Sequence, residues 1–274
     1  MLNGQRVGIL GTGTMGRALG MGLVRSGTLS ADAISGTVKH AHELESVQAQ
    51  VDFTVSLDND AVASGADVLL LCTKPRTAPT LLAALAESGA LSHDPLVISI
   101  CAGVSTTALE TACFDKARVI RAMPNTPCQI GEGMTVVAPG VRATEADLEA
   151  ALTIFRPLGR ALRLDEEHMN TVTGLSGSGP AFVYVIIEAL SEGGVMMGLP
   201  RSVATELAAQ TVKGAARMVL ETGRHPAALK DEVTTPAGCT ISALLSLEDG
   251  RLRSVLARGV QEAARSAAGL GGES

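Results

Sequence analysis

The stretch Asp231–Leu247 reads Asp-Glu-Val-Thr-Thr-Pro-Ala-Gly-Cys-Thr-Ile-Ser-Ala-Leu-Leu-Ser-Leu. Thr235 is a helix-capping residue type, Pro236 suits a first helical position, and Gly238 lets backbone approach a ligand closely. From Ile241 the apolar spacing turns helical. A turn feeding a helix start aims several open N–H groups and the positive end of the helix dipole at one point, which suits a small carboxylate or phosphate. Thr240 adds a hydroxyl able to donate or accept beside the anion. An ordinary capped helix start has the same appearance, so the rest of the chain must decide.

A second glycine-bearing turn stands near the N-terminus. Gln5 to Leu10 reads as a short apolar strand, Gly11-Thr12-Gly13-Thr14-Met15-Gly16 follows at once, and Arg17 to Val24 reads as a helix. This is G-x-G-x-x-G between strand and helix, the context that makes it a dinucleotide fingerprint. Gly11 permits the tight turn, Gly13 admits a pyrophosphate to the backbone, and Gly16 lets helix and strand pack closely. The second strand, Ala33 to Thr37, is followed by Val38-Lys39-His40, with no acid to take a ribose 2′-hydroxyl. One cation in that place tolerates a 2′-phosphate, so the expected cofactor is NADPH, with NADH as the second choice. A solvated helix start at Lys39 and His40 is the plain alternative.

The elements that position these turns follow from apolar runs. Strands are expected at Asp67–Cys72, Leu96–Ile100 and Arg118–Ala122, with helical spacing between them, as at Leu81–Glu87. Glu132–Val137 and Arg160–Leu164 extend the sheet, with a helix at Glu145–Phe155 between them. Alternating strand and helix predicts an α/β fold, a Rossmann-like doubly wound parallel sheet. Ligands of such sheets sit beyond the carboxyl ends of the strands. Those ends carry Thr73-Lys74-Pro75, Ala102-Gly103-Val104 and Met123-Pro124-Asn125-Thr126-Pro127, and their coincidence favours a cofactor crevice.

From Asp165 onward nothing reads as a strand, which divides the chain into a dinucleotide-binding domain, 1–164, and an all-α domain, 165–274. Leu175-Ser176-Gly177-Ser178-Gly179-Pro180 opens a helix from Ala181 to Met197 that is apolar nearly all round. A small domain cannot bury such a helix on every side, so a partner subunit is expected. Further helices are expected at Arg201–Glu221, Pro226–Lys230 and Arg251–Ala268.

The chain has 274 residues, 46% of them hydrophobic, and a formal charge of −6. The acidic balance and an aromatic content of 2% without Trp argue against nucleic acid, which wants basic patches and stacking platforms. Five cysteines form no C-x-x-C pair, five histidines show no ligand spacing, and a lone His168 reads as a surface or capping residue. Reduced thiols, no metal and no targeting segment are expected. The longest apolar run, Ala181–Leu190, is short for a membrane span and contains Glu188. A cytoplasmic protein with no membrane contact is the resulting expectation.

Across almost its whole length the sequence resembles the pyrroline-5-carboxylate reductase family. The resemblance is carried by the N-terminal glycine motif, Lys74-Pro75, Ile98–Val104, Arg121–Pro127, Leu175–Ala181 and, most specifically, Asp231–Leu247. It implies reduction of 1-pyrroline-5-carboxylate to L-proline by NAD(P)H, and a helical domain that forms an interlocked homodimer, in many members assembled further into a decamer. Carried over by position, it implies substrate contacts at Val233, Thr235, Gly238, Cys239 and Thr240, with the backbone N–H groups of the last three on the carboxylate. Thr240 is the implied proton donor or polariser at the ring nitrogen. Gly11, Thr12, Gly13, Thr14, Met15 and Gly16 would hold the pyrophosphate, and Thr37 and Asn59 the adenosine ribose. Cys72, Thr73, Lys74, Pro75, Ala102, Gly103 and Asn125 would line the nicotinamide side, over a floor of Met123 and Pro124. The chain departs from the family at Ala237, where glycine is usual, and at Cys239, where Thr or Ala is usual. A reductase of another cyclic imino acid and a non-catalytic NADPH sensor are the rival readings.

Overall fold

The computed structural model describes residues 4–270. The chain forms two compact units. One runs to Ser178 and takes the chain back from Gln261, and the other is Gly179–Val260.

The first unit is built on eight strands: β1 Val7–Leu10, β2 Ile34–Thr37, β3 Thr54–Ser56, β4 Val68–Leu71, β5 Leu96–Ser99, β6 Arg118–Met123, β7 Gly133–Pro139 and β8 Gly159–Arg163. They lie in the order β3-β2-β1-β4-β5-β6-β7-β8. The chain winds outward from β1 in both directions, so a crevice opens beyond the carboxyl ends of β1 and β4. Between them and around them run α1 Thr14–Arg25, α2 Ala41–Gln48, α3 Asn59–Ser64, α4 Ala78–Glu87, α5 Thr106–Ala112, α6 Glu145–Phe155 and the one-turn α7 Met169–Val172.

The central strands β1, β4 and β5 are buried along their whole length and largely apolar because both faces are covered. In β1, Val7 and Ile9 join one core and Leu10 the other; in β4, Val68 and Leu70 face the first core, Leu69 and Leu71 the second. Successive side chains of a strand point to opposite faces, so continuous apolar runs mark a two-sided burial. Leu19 and Leu23 of α1, Val47 of α2 and Ile154 of α6 close the first face over Phe53, and Leu82 and Leu85 of α4 with Leu109 of α5 close the second.

One expectation is corrected. The sheet is not wholly parallel, because β7 runs antiparallel to β6. The physical reason is the connection, a short turn of 3₁₀ helix at Thr126–Ile130 that cannot carry the chain back for a parallel crossover. The longer connection through α6 makes β8 parallel to β7.

The second unit holds α8 Gly179–Met196, α9 Arg201–Thr222, α10 Pro226–Glu232, α11 Cys239–Asp249 and the start of α12 Leu252–Gly269. Close approach of α8 and α9 is permitted at Gly194, where a Cβ would meet that of Ala204 at 3.1 Å, and Ser191 hydrogen-bonds Thr205 at 2.8 Å. Only Ser191 of α8 is buried, while Tyr184, Val185, Leu190 and Met196 are exposed. The continuous helical run Glu166–Met196 is, by length and composition alone, long and apolar enough to cross a membrane, which the shorter run Ala181–Leu190 was not expected to be.

Candidate active site

At the end of β1 the chain turns at Gly11, whose φ of +98° is open only to glycine without strain. A Cβ at Gly16 would lie 2.4 Å from the carbonyl oxygen of Gly11, so only glycine lets α1 start so close to the loop. At Gly13 a Cβ would meet nothing within 4 Å, and Gly13 caps α1 with no side chain. The open first turn of α1 therefore faces free space, as an anion site requires.

Thr37, at the end of β2, holds this loop. It is 2% exposed, its carbonyl accepts the N–H of Thr12 at 2.7 Å, and its hydroxyl accepts the N–H of Gly11 at 3.3 Å. Its side chain is thus committed to the glycine loop. The Thr12 hydroxyl is buried over Gly36, whose absent Cβ would otherwise lie 2.4 Å from it.

The loop forms one wall of a cleft of about 680 Å³. Of the expected cofactor residues, Gly11, Thr12, Gly13, Thr14, Thr37, Asn59, Cys72, Thr73 and Lys74 line it; Met15, Gly16, Pro75, Ala102, Gly103, Met123, Pro124 and Asn125 do not. Sequence reasoning missed Arg17, Glu43, Ser46 and the apolar wall of Val47, Leu57 and Leu81. For Arg17 a signal existed, since it stands one helical turn after Gly13 and so on the loop side of α1. The cleft gathers Arg17, Lys39 and His40, and its one acid, Glu43, accepts the backbone N–H of His40 at 3.2 Å. The residues present therefore fit a dinucleotide phosphate group.

The ends of β4, β5 and β6 carry the other expected residues. Burial pushes the Cys72 and Cys101 thiols up, which keeps both protonated, and the Cys101 thiol lies 3.2 Å from the carbonyl of Thr73. Asn125 is engaged at both ends of its amide: Nδ2 donates to the carbonyl of Ser176 at 3.0 Å, and Oδ1 accepts the N–H of Met134 at 2.8 Å. Ser176 lies in a π-helical turn, Thr173–Gly177, and a Cβ at Gly177 would fall 2.7 Å from Met123. π-turns are rare and recur at functional sites. Below it Arg121, 4% exposed, donates to Asn170 at 2.9 Å and pairs with Glu166 at 3.5 Å. Burial lowers the pKa of Arg121 and Glu166 opposes that shift. Glu166 also accepts the N–H of Thr106 at 2.6 Å. The segment 165–178 is thereby tied to the sheet.

The third set lies in the second unit, and here two expectations are corrected. Thr235 is not the helix cap and Pro236 is not its first residue, because α11 starts at Cys239 with Gly238 as its cap. Thr235 instead opens a turn closed by the N–H of Gly238 on its carbonyl at 3.1 Å, and Ala237, at φ +56°, takes the chain off any helical path. The N–H of Gly238 is therefore committed, while the first-turn N–H groups of Cys239 and Thr240 have no capping side chain. Thr240 is half-buried, and Val233 and Cys239 are exposed. His168 is exposed beside Glu167 at 3.6 Å. Among the described residues no cluster of His, Cys, Asp and Glu could hold a metal ion.

The chain is similar to known proteins over almost its whole length. Residues 166–270 match the family described as pyrroline-5-carboxylate reductase dimerisation, and residues 6–103 match NADP oxidoreductase, coenzyme F420-dependent. The chain is 42% identical to pyrroline-5-carboxylate reductase of Methanosarcina acetivorans over 98% of this chain and 99% of that protein. To the enzyme of that name from Escherichia coli it is 38% identical over 92% and 93%. It is similar in structure to Plasmodium falciparum pyrroline carboxylate reductase with NADP bound, with a TM-score of 0.88 and 28% identity, over 98% of this chain and 99% of that one.

Proposed function

The chain belongs to the pyrroline-5-carboxylate reductase family and reduces 1-pyrroline-5-carboxylate to L-proline with NAD(P)H, and within that reaction we propose the following division of labour. The dinucleotide, when bound, supplies the hydride that adds to the C=N carbon. The glycine loop and the open start of α1 hold its pyrophosphate, and Thr37 positions that loop. Cys72 to Pro75, Ala102 and Gly103 line the nicotinamide side over Met123 and Pro124, and Asn59 lies at the ribose end. Asn125 acts there by holding the π-turn.

The substrate carboxylate takes the N–H groups of Cys239 and Thr240, with Val233, Thr235 and Gly238 shaping the turn around it. Thr240 sets a hydroxyl at the ring nitrogen. A threonine is a weak acid, but a cyclic imine is basic enough to arrive protonated, so the residue has to orient and stabilise rather than ionise. The single observation that carries this reading is the uncapped start of α11 with Thr240 in its first turn.

Three finer points complete the proposal. Arg17, Lys39 and His40 favour NADPH over NADH. The functional division falls between residues 164 and 165, which the dimerisation match beginning at 166 supports. The exposed apolar side of α8 is covered by a second copy of the chain rather than by lipid, with a decamer as the larger assembly, and free cysteines fit a cytoplasmic setting. The decisive experiment is oxidation of NADPH, then of NADH, by the purified protein with 1-pyrroline-5-carboxylate, scored against proline formed. Stoichiometric proline with NADPH the faster donor is expected. NADPH binding without turnover would favour the sensor reading. Sedimentation checks assembly: a folded monomer at micromolar concentration would remove the partner from the account.

A further inference from the structure

Between α10 and α11 the backbone adopts a form its residues do not favour. Proline fixes its own φ near −65°. The turn is closed by the bond from Gly238 N–H to Thr235 C=O at 3.1 Å, and the residue after the proline, Ala237, has a φ of +56°. A hydrogen-bonded turn with proline second and a positive φ third is type II. Its third place belongs by preference to glycine, because an L residue there crowds its own Cβ against the backbone. Thr-Pro-Ala-Gly fits the type I turn better. The two turns differ mainly by rotation of one peptide plane, the one between Pro236 and Ala237.

Five non-glycine residues have a positive φ among the described residues: Asp94, Phe114, Asp115, Ala237 and Arg251. Four of them donate their own N–H to an upstream carbonyl, Asp94 to Leu91, Phe114 to Thr111, Asp115 to Glu110 and Arg251 to Glu248. Those bonds offset the strain locally. Ala237 makes no such bond among the described residues, it has no polar side chain to supply one, and with Thr235 and Pro236 it is exposed. The strained plane is therefore held neither by the core nor by hydrogen bonding of its own N–H.

We propose that the Pro236–Ala237 peptide is a two-state positioning element for the reductase: bound substrate carboxylate selects the type II turn, and Ala237 draws the empty turn away from it. This rests on the reading that the turn before α11 holds that carboxylate. Ala237 then sets substrate affinity without touching the reacting atoms. A chain whose binding-competent turn is a fraction of the total has its apparent affinity reduced by that fraction.

The test is a steady-state series in the intact enzyme, Ala237→Gly, Ala237→Asn and Ala237→Val, with KM for 1-pyrroline-5-carboxylate, KM for NADPH, kcat and Tm measured for each. Glycine adopts positive φ freely and asparagine more readily than alanine, whereas a β-branched residue resists it. The expected result is a substrate KM about fivefold or more below the parent for the glycine variant, intermediate for asparagine and above the parent for valine, with NADPH KM unmoved and little change in kcat. A glycine variant with higher Tm and unchanged substrate KM would overturn the proposal, since the strain would then belong to folding alone. Equal shifts in both KM values would overturn it as well. Thr240→Ala, measured alongside, separates the two levels. If it leaves kcat and KM intact, the turn is not the substrate site and the parent reading fails. If it acts while the Ala237 series is flat, only the two-state element fails.

Discussion

Gly11 turns the chain after β1 at a φ of +98°, and Ala237 turns it before α11 at +56°. Each turn delivers a helix start whose cap is a glycine without a side chain, Gly13 in one case and Gly238 in the other. The supports differ. The first loop is bonded twice to Thr37 in the sheet and pressed against Gly16 and the carbonyl of Cys72. The second is closed by its own hydrogen bond and stands exposed. A large dinucleotide that contributes many contacts can be met by a rigid wall. A small imino acid offers few groups, and the turn proposed to meet it would carry the reacting geometry as well. On the proposed division of labour the cofactor side is rigid and the substrate side adjustable, and substitutions can test each half.

The largest effect is expected where rigidity is greatest. Gly16→Ala forces a Cβ to within 2.4 Å of the Gly11 carbonyl, and backbone on both sides leaves no cheap way to move. Loss of NADPH turnover by about a thousandfold, together with a lowered Tm, is expected, since overpacking of this kind costs roughly 1–3 kcal/mol or more before binding is considered. Gly13→Ala is the control within the same loop. Its Cβ meets no protein atom, so Tm should hold while NADPH KM rises. Equal losses of Tm in the two variants would show that the loop is not the rigid wall described.

On the substrate side Thr240→Ala should lower kcat by about a hundredfold with a smaller change in KM, as expected of a group used chiefly in the transition state. Stopped-flow single turnovers would place the loss in hydride transfer. If KM alone moves, Thr240 only binds, and the adjustable turn has no part in chemistry.

Thr37→Val comes next. The change keeps the shape of a buried side chain and removes the acceptor for the Gly11 N–H. An unsatisfied buried N–H costs about 1–3 kcal/mol. NADPH affinity by fluorescence titration should fall about tenfold, with substrate KM at saturating NADPH unchanged. A flat result would mean that the glycine loop keeps its form without β2.

How far the sequence carries such reasoning depends on whether the cause is local. β1, β4 and β5 announce themselves as apolar runs because helices cover both faces, and Glu145–Phe155 matches α6 end to end, its capping Thr144 and Asp147 bonded at 2.9 Å. The three-residue β3 and the polar α2 carry too little pattern. The direction of β7 is set by the length of a connection, not by any residue of the strand. Pro236 pointed to the wrong helix start because the φ of Ala237, three residues before Thr240, decides where α11 can begin. At Asn125 the residue was visible and its partners were not, since Ser176 lies 51 residues away. The glycine motif was legible as a motif. That Thr37 would turn inward to hold it, and that Arg17 would join Lys39 and His40 in the cleft, depends on how the strands lie beside one another.

The smallest effect concerns that cation group and refines the cofactor half of the comparison. Lys39 and His40 are exposed at the end of β2, and Arg17, half-buried, is bonded to Gln50 at 2.5 Å. Water and salt screen exposed charges, so each is worth little alone. Lys39→Glu does two things at once: it removes the proposed partner for a 2′-phosphate, and it supplies a carboxylate to accept the hydrogen bond of a ribose 2′-hydroxyl. The ratio of kcat/KM for NADPH to that for NADH should fall about tenfold, a difference near 1.4 kcal/mol, and the fall should shrink at high ionic strength. Arg17→Gln should lower the same ratio with less salt dependence, because its charge is less exposed. A ratio that ignores both substitutions would move the 2′-phosphate away from these residues. The cleft wall would then serve the dinucleotide through its backbone N–H groups alone.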